Sequence, residues 1–223
     1  MLGMENDEKT TKKKDFVEIE YSGYANNELF DSNIKVDLKK LDAKAEAKKT
    51  VVVIGESMVV NGLDRALVDK EVGKEYEISF GAKEGFGERK RELIKTIPAH
   101  VFYEKKVNPQ PGMVLNIDDV LVKIISVSGG RVLADFNNPL AGKEIKYKFR
   151  ILKIVHDEKE KCEAVFDNLF RMVPKFEIKE KEVVVKGPKG FDMFVNVFKP
   201  RFKDLIGKEL VFEELKQEKK EAQ

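Results

Sequence analysis

Only one cysteine, Cys162, occurs among the 223 residues, so no disulfide can form within the chain and it is compatible with a reducing, cytoplasmic setting. Histidine is nearly as scarce: His100 and His156 stand far apart, which excludes a dense soft-ligand metal centre and makes a zinc hydrolase or zinc ribbon untenable. Charge of one sign is also missing, because 42 Lys and Arg face 40 Asp and Glu. That balance argues against nucleic acid as the main partner. No apolar run is long enough to cross a bilayer, and the polar stretch Met1 to Lys14 lacks the apolar segment of a secretory signal. There is no nucleophile elbow, no phosphate-cradling glycine loop leading into a helix, and no carboxylate cluster at metal-ligand spacing. No cofactor is expected.

What the chain has in excess is charge: 37% of residues are Asp, Glu, Lys or Arg, against an average of about 25%. The length suits one large domain or two to three small ones, and periodicity favours three. Phe16, Val17, Ile19, Tyr21 and Tyr24 alternate with acids as in a strand with one buried face, and Asn26-Asn27 supplies a hairpin turn into a return strand ending at Leu29-Phe30-Asp31-Ser32. Lys35 to Lys49 reads as a solvated helix or helical loop, Val51 to Ile54 as a strand stopped by Gly55, and Met58 to Leu67 as a short helix. Lys74 to Phe80 alternates again, and Lys143 to Val155 resumes as a long strand able to close the same sheet. The expected class is α+β, an antiparallel half-barrel around one short helix.

Residues 88–137 interrupt this sheet with a pattern of their own. Pro98 to Tyr103 suggests a turn of helix; Met113 to Ile117, Val120 to Val127 and Arg131 to Phe136 read as strands, with Gly129-Gly130 as a hairpin turn. Fifty residues so regularly patterned are a small β-rich domain rather than a loop. After Val155 the pattern changes again: Glu158 to Val173 is helical with one apolar side, Phe176 to Lys186 reads as a strand, Phe191 to Phe198 as strand or helix, and Lys208 to Glu213 as a strand. This third unit holds eight of the fifteen phenylalanines, with fifteen acids and fifteen bases between Asp157 and Gln223. Its phenylalanines serve a core or a homodimer interface, and Gln217 to Gln223 is expected to fray. The divisions are thus 1–87 with 138–156, 88–137, and 157–223.

Tyr21-Ser22-Gly23, Phe30-Asp31-Ser32, Val59-Val60-Asn61-Gly62-Leu63 and Gly85-Phe86-Gly87 follow one another in the order and approximate spacing of a known family. Over Asp15 to Val155 the chain resembles the FKBP-type peptidyl-prolyl cis/trans isomerases. The excursion after Gly87, with its return at Leu140-Ala141-Gly142, resembles the long SlyD-like branch, whose insert-in-flap domain acts as a chaperone. The resemblance implies an FKBP-like half-barrel and a prolyl pocket of Tyr21, Phe30, Val59, Val60, Leu63, Phe86 and Tyr147. Leu63 would be its floor, Asp31 would turn a polar group on the peptide, and the Val60 N–H would hold a substrate carbonyl. Partners would be unfolded or proline-containing polypeptides.

Two positions depart from the family: Phe86 stands where a tyrosine hydroxyl is usual, and Thr50 where an apolar wall residue is usual. They imply a weaker pocket or poor binding of macrolide inhibitors, and motivate the alternative of a non-catalytic chaperone or assembly module on the same fold. Read singly, Phe30, Val60 and Leu63 would be core residues in most folds, and Asp31 would cap the next helix. In the insert, Met113, Leu115, Leu121, Ile124, Ile125, Val132 and Leu133 either fill a small core or, as the resemblance implies, bind clients through exposed members.

Overall fold

The structure, a computed structural model, describes residues 9–117 and 120–215; the Gln217 to Gln223 segment lies outside them. In chain order the elements are β1 (Phe16–Ala25), β2 (Glu28–Ser32), α1 (Lys35–Leu41), β3 (Thr50–Val53), α2 (Asn61–Ala66) and β4 (Glu75–Phe80). Then come β5 (Ile94–Pro98), α3 (Ala99–Glu104), β6 (Val114–Ile117), β7 (Val120–Ser128), β8 (Arg131–Asp135) and β9 (Ile145–Ile154). Last are α4 (Glu158–Phe170), β10 (Lys175–Ile178), β11 (Glu182–Gly187), α5 (Phe191–Ile206) and β12 (Glu209–Glu214). The class is α+β. One five-stranded sheet has the order β2-β1-β9-β4 with β3 paired to β1, and sheets of three and four strands follow the orders β10-β11-β12 and β5-β8-β7-β6.

Contacts divide the chain into two compact units, Met1–Ser22 with Asp31–Ile78 and Tyr147–Gln223, and Gly23–Phe30 with Ser79–Lys146. In the first, β3 runs antiparallel to β1 from Phe16↔Val53 to Ile19↔Thr50, so alternate apolar residues of both strands share a face. Phe16 and Val53 on that face, with Val155 just after β9, join Cys162, Val165, Phe166, Phe170 and Phe202 in one core. Phe166 is fully buried, its ring centroid 5.0 Å from Phe202, 5.1 Å from Phe176 and 5.4 Å from Phe170. The aromatic residues after Val155 therefore pack in one cluster with Phe16 and Val53 of the N-terminal sheet.

Local rules set the ends of these elements. The Asp157 side chain accepts from the Glu160 N–H at 2.8 Å and caps α4, and Glu158 and Glu160 in its first turn suit the positive end of the helix. A ring of ion pairs braces the same region: Lys49 lies 3.3 Å from Glu18 and 3.0 Å from Glu160, and Lys153 lies 3.7 Å and 3.1 Å from the same two carboxylates. Phe176 to Lys186, expected as one strand, is the hairpin of β10 and β11, and β12 pairs parallel to β11. Phe191 opens a sixteen-residue helix that continues through Pro200.

In the second unit Asn26 and Asn27 both hold positive φ, 51° and 65°, and Gly129 and Gly130 do the same at 55° and 71°. These are the left-handed pairs that tight hairpins require. Val122, Ile124, Val132 and Ala134 on β7 and β8 pack with Ala99 and Phe102 of α3 into a small core. Where this small sheet begins and ends, two chain segments are tied together. The Asn137 carboxamide accepts from the Lys90 N–H at 2.8 Å and donates to the Lys90 carbonyl at 3.0 Å; Arg89 pairs with the buried Asp135; and the Gly142 N–H donates to the Gly87 carbonyl at 2.9 Å.

Candidate functional site

The first unit gathers two phenols and a carboxylate. Tyr21 on β1 and Tyr147 on β9 meet edge to face, ring centroids 5.8 Å apart at 61°, the geometry that aromatic quadrupoles favour. The Tyr21 hydroxyl donates to the Asp31 carboxylate. Burial pushes Asp31 above the usual carboxylate range, opposed by the bonds it accepts from Tyr21 and from the Ser32 backbone. Both phenols are pushed well above their ordinary value, first by burial and then by the neighbouring Asp31 charge. The result is an apolar aromatic surface with one carboxylate, and phenols that stay protonated donors at physiological pH. Asp31 caps no helix: α1 begins at Lys35 without a side-chain cap.

Strand residues are fixed beneath this cluster by a polar network that sequence reading missed. Asn33 accepts from the Tyr21 N–H at 2.8 Å and donates to the Ile19 carbonyl at 2.8 Å and to Thr50 Oγ1 at 2.9 Å. Ser32 Oγ donates to the Tyr21 carbonyl at 2.9 Å, and Ser22 Oγ donates to Asp37 at 2.8 Å. Tyr21 is thus held by both its backbone groups. Thr50, read from sequence as a replaced wall residue, engages this network through its hydroxyl. The only advance signal was the run Ser32-Asn33 directly after Phe30-Asp31, polar residues where a strand ends.

Leu63 lies on α2 and is 1% exposed, while Val59 and Val60 are half-buried on the approach to that helix. Val60 is the residue preceding the first turn, and its carbonyl accepts from the Asp64 N–H at 3.0 Å. Its own N–H has no acceptor among the described residues, as is usual for the first amides of a helix. The second unit holds the other two aromatic candidates: Phe30 and Phe86 meet edge to face with centroids 5.5 Å apart at 85°. Gly85, just before Phe86, is packed so closely that a Cβ there would come within 3.1 Å of the Ile145 side chain.

The seven insert candidates separate by exposure. Ile124 and Val132 are fully buried in the small core and present no surface to a client, a consequence of β7 and β8 turning those positions toward α3. Leu121 and Ile125 point out of the sheet, at 51% and 37% exposure. Met113, Leu115 and Leu133 are partly exposed. Among the described residues no group of three or more His, Cys, Asp or Glu side chains converges as a metal site would require, and no helix is long and apolar enough to cross a membrane. Cys162 is buried, and burial followed by the Glu158 charge pushes its thiol up to about 12. It is no nucleophile at neutral pH.

Comparison with known proteins gives two family matches. A model described as FKBP-type peptidyl-prolyl cis-trans isomerase matches residues 7–107, and one described as "FKBP26, IF domain" matches residues 95–140. The chain is similar to the short-type peptidyl-prolyl cis-trans isomerase of Methanocaldococcus jannaschii, 29% identical over 152 residues, which covers 67% of this chain and 97% of that protein. It is also similar to SlyD of Haemophilus influenzae, 31% identical over 101 residues, and SlyD of Escherichia coli, 28% over 103. These two matches cover 44% and 45% of this chain, and each spans 53% of the relative's length.

Proposed function

Because the chain is an FKBP-type peptidyl-prolyl cis-trans isomerase, we propose that Tyr21, Asp31, Val59, Val60, Leu63 and Tyr147 are the residues with which it turns an X-Pro bond. The observation that carries this reading is the edge-to-face Tyr21–Tyr147 pair with Asp31 bonded to the Tyr21 hydroxyl. The same assignment gives Phe30 and Phe86 contact with the prolyl substrate. With phenylalanine at position 86, the polar work falls to Asp31, the two phenols and the open Val60 N–H.

The chemistry asks for no bond to break. Amide resonance makes rotation about X-Pro cost about 20 kcal/mol, so the unaided step takes tens of seconds. In the twisted amide, nitrogen and carbonyl are decoupled and the unit is less polar than the planar form. Aromatic and aliphatic walls that exclude water favour the twisted state, and the Val60 N–H orients the substrate by holding a carbonyl. Each 1.4 kcal/mol of such preference speeds exchange about tenfold.

By this assignment 1–87 with 138–156 carries isomerisation, 88–137 holds unfolded clients, and 157–223 is an α+β domain for dimerisation or client binding, of which dimerisation is favoured. Exposed Leu121 and Ile125, with partly exposed Met113, Leu115 and Leu133, support client contact. A held client raises the effective concentration of its prolines at the site. Exposed Met193, Phe194 and Val197 on α5, at 74%, 42% and 71%, support a homodimer; a monomer in light scattering would remove that part.

The main test measures isomerisation of a proline tetrapeptide and a proline-limited refolding reaction. Asp31→Ala and Phe30→Ala are expected to slow both, and unchanged rates would sink the site assignment. Deleting residues 88–137 is expected to impair refolding far more than peptide turnover. Equal losses would remove the client-holding role.

A further inference from the structure

We propose that Arg201, on α5, is a positioning residue for the prolyl site, fixing the turn at residues 55–58 that delivers Val59 and Val60. The inference rests on the reading that these two valines meet the substrate. It gives the C-terminal helix a part in isomerisation across 145 residues of sequence.

The turn is gripped on two sides. Arg201 Nη1 lies 2.7 Å from the Glu56 carboxylate, and its Nη2 donates to the Glu56 carbonyl at 3.0 Å, so one guanidinium holds both the side chain and the backbone of one residue. A planar fork can do this and a point charge cannot. The Glu56 side chain is 13% exposed and that of Arg201 40%, so the pair is shielded on one side and screened on the other, and its second bond to the Glu56 carbonyl adds to what the ion pair contributes. From the other side the buried Asp64 carboxylate accepts from the Gly55 N–H at 2.8 Å and the Ser57 N–H at 2.9 Å, and the Asp64 N–H donates to the Val60 carbonyl at 3.0 Å.

The turn needs such a grip because its backbone is unfavourable. Gly55 and Ser57 both hold positive φ, 85° and 56°, and a non-glycine residue there adopts a conformation that persists only when its surroundings determine it. Met58 then anchors the exit. Its sulfur accepts from the Val53 N–H at 3.3 Å, and its side chain packs on the core containing Phe166 and Phe202. From Met58 the chain has one residue before Val60, so the turn that Arg201 and Met58 fix sets where the open Val60 N–H is presented. Loss of Arg201 frees the Glu56 carbonyl and leaves its shielded carboxylate without its cation, and the turn then rests on Asp64, Met58 and the 3.3 Å bond from the Glu56 N–H to the Val53 carbonyl.

The test is steady-state turnover of a proline tetrapeptide by the full chain, with amide hydrogen exchange read by NMR. Arg201→Ala is expected to raise KM about three- to tenfold, the consequence of losing a charge-assisted pair worth about 1 kcal/mol or slightly more. Its kcat is expected to stay within about twofold, and the Gly55 and Ser57 amides, which the turn holds on Asp64, to exchange faster while Phe149 in the sheet does not change. Arg201→Lys should restore KM only in part, because an ammonium cannot hold carboxylate and carbonyl together. An Arg201→Ala enzyme, folded by circular dichroism, with wild-type KM overturns the inference. So does a loss in which kcat, KM and all amides move together, the pattern of general loosening. Asp31→Ala run beside it separates the failures: if Asp31→Ala turns over normally the site assignment itself falls, whereas a crippled Asp31→Ala beside a normal Arg201→Ala removes only the role of Arg201.

Discussion

Replacing Tyr21 with phenylalanine removes one oxygen and keeps the ring that meets Tyr147 edge to face at 5.8 Å. The lost group is the donor to Asp31, a carboxylate that burial already disfavours in its charged form. Hydrogen bonds to charged groups contribute about 1.5–3 kcal/mol, and partial exposure of both residues puts this one near 1.5. At pH 7 the variant should therefore melt about 3–6 °C lower, by the usual scaling for a chain of this size.

The pH dependence makes the test specific to the mechanism. Asp31 has a folded pKa above its unfolded value, so its own contribution to stability is fully present below the unfolded value, near 3.8, and is lost as pH rises through the folded one. The Tyr21 bond opposes that loss by favouring the carboxylate. Without it the Asp31 pKa climbs further and the loss at neutral pH is larger. The melting curves of wild type and Tyr21→Phe should converge in acid and separate as Asp31 ionises, and the carboxyl carbon of Asp31 in NMR should titrate at a higher pH in the variant. A difference in melting temperature that is the same at pH 3.5 and pH 7, or an Asp31 midpoint that falls, would refute the reasoning.

Three further outcomes follow from packing. Phe166→Ala should cost about 3–5 kcal/mol, and because Phe166 shares its core with Phe16 and Val53, thermal denaturation should abolish isomerase activity at the same lowered temperature at which α4 melts. Ile124→Ala should cost about 2–5 kcal/mol and expose the insert to protease, while Leu121→Ser should change stability by less than about 0.5 kcal/mol and still slow refolding of a proline-limited client. Cys162, with its thiol pushed up to about 12 by burial, should resist iodoacetamide at pH 8 in the native protein and react once guanidinium unfolds it.

The parts visible in the sequence were those written in short-range periodicity. Alternation gave β1, β4 and β9, and the Asn26-Asn27 and Gly129-Gly130 pairs gave their hairpins because left-handed backbone has a narrow choice of residues. The turn between β10 and β11 escaped, since Lys179-Glu180-Lys181 carries no glycine or proline to mark it. β5 escaped as well: Ile94-Lys95-Thr96-Ile97-Pro98 is short, follows a run of charges, and owes its pairing to β8, almost forty residues on. α5 read ambiguously because its apolar residues surround the helix, with Val195 and Phe202 buried while Met193 and Val197 face out. In the candidate site, Tyr21 and Asp31 belonged to motifs legible in order along the chain, and Tyr147 followed from the resemblance; the structure brings the three together. The grip of Arg201 on Glu56 and of Asn33 on Thr50 was not, because such contacts exist only after distant segments have packed.

The hydrogen bond from Gly142 to Gly87 has a bearing on how such a chain can be rebuilt. The chain is bridged there by one backbone hydrogen bond between the residue before position 88 and the residue after position 141. A tight turn could bridge that gap, and so could any other module whose ends lie close together. Loop-closure entropy grows only slowly with the length of chain placed there. On the proposed division of labour the position is a socket for gene fusion: a peptide-binding module of different appetite spliced between Gly87 and Gly142 would be expected to retarget the isomerase, and a tight turn there to leave a minimal enzyme.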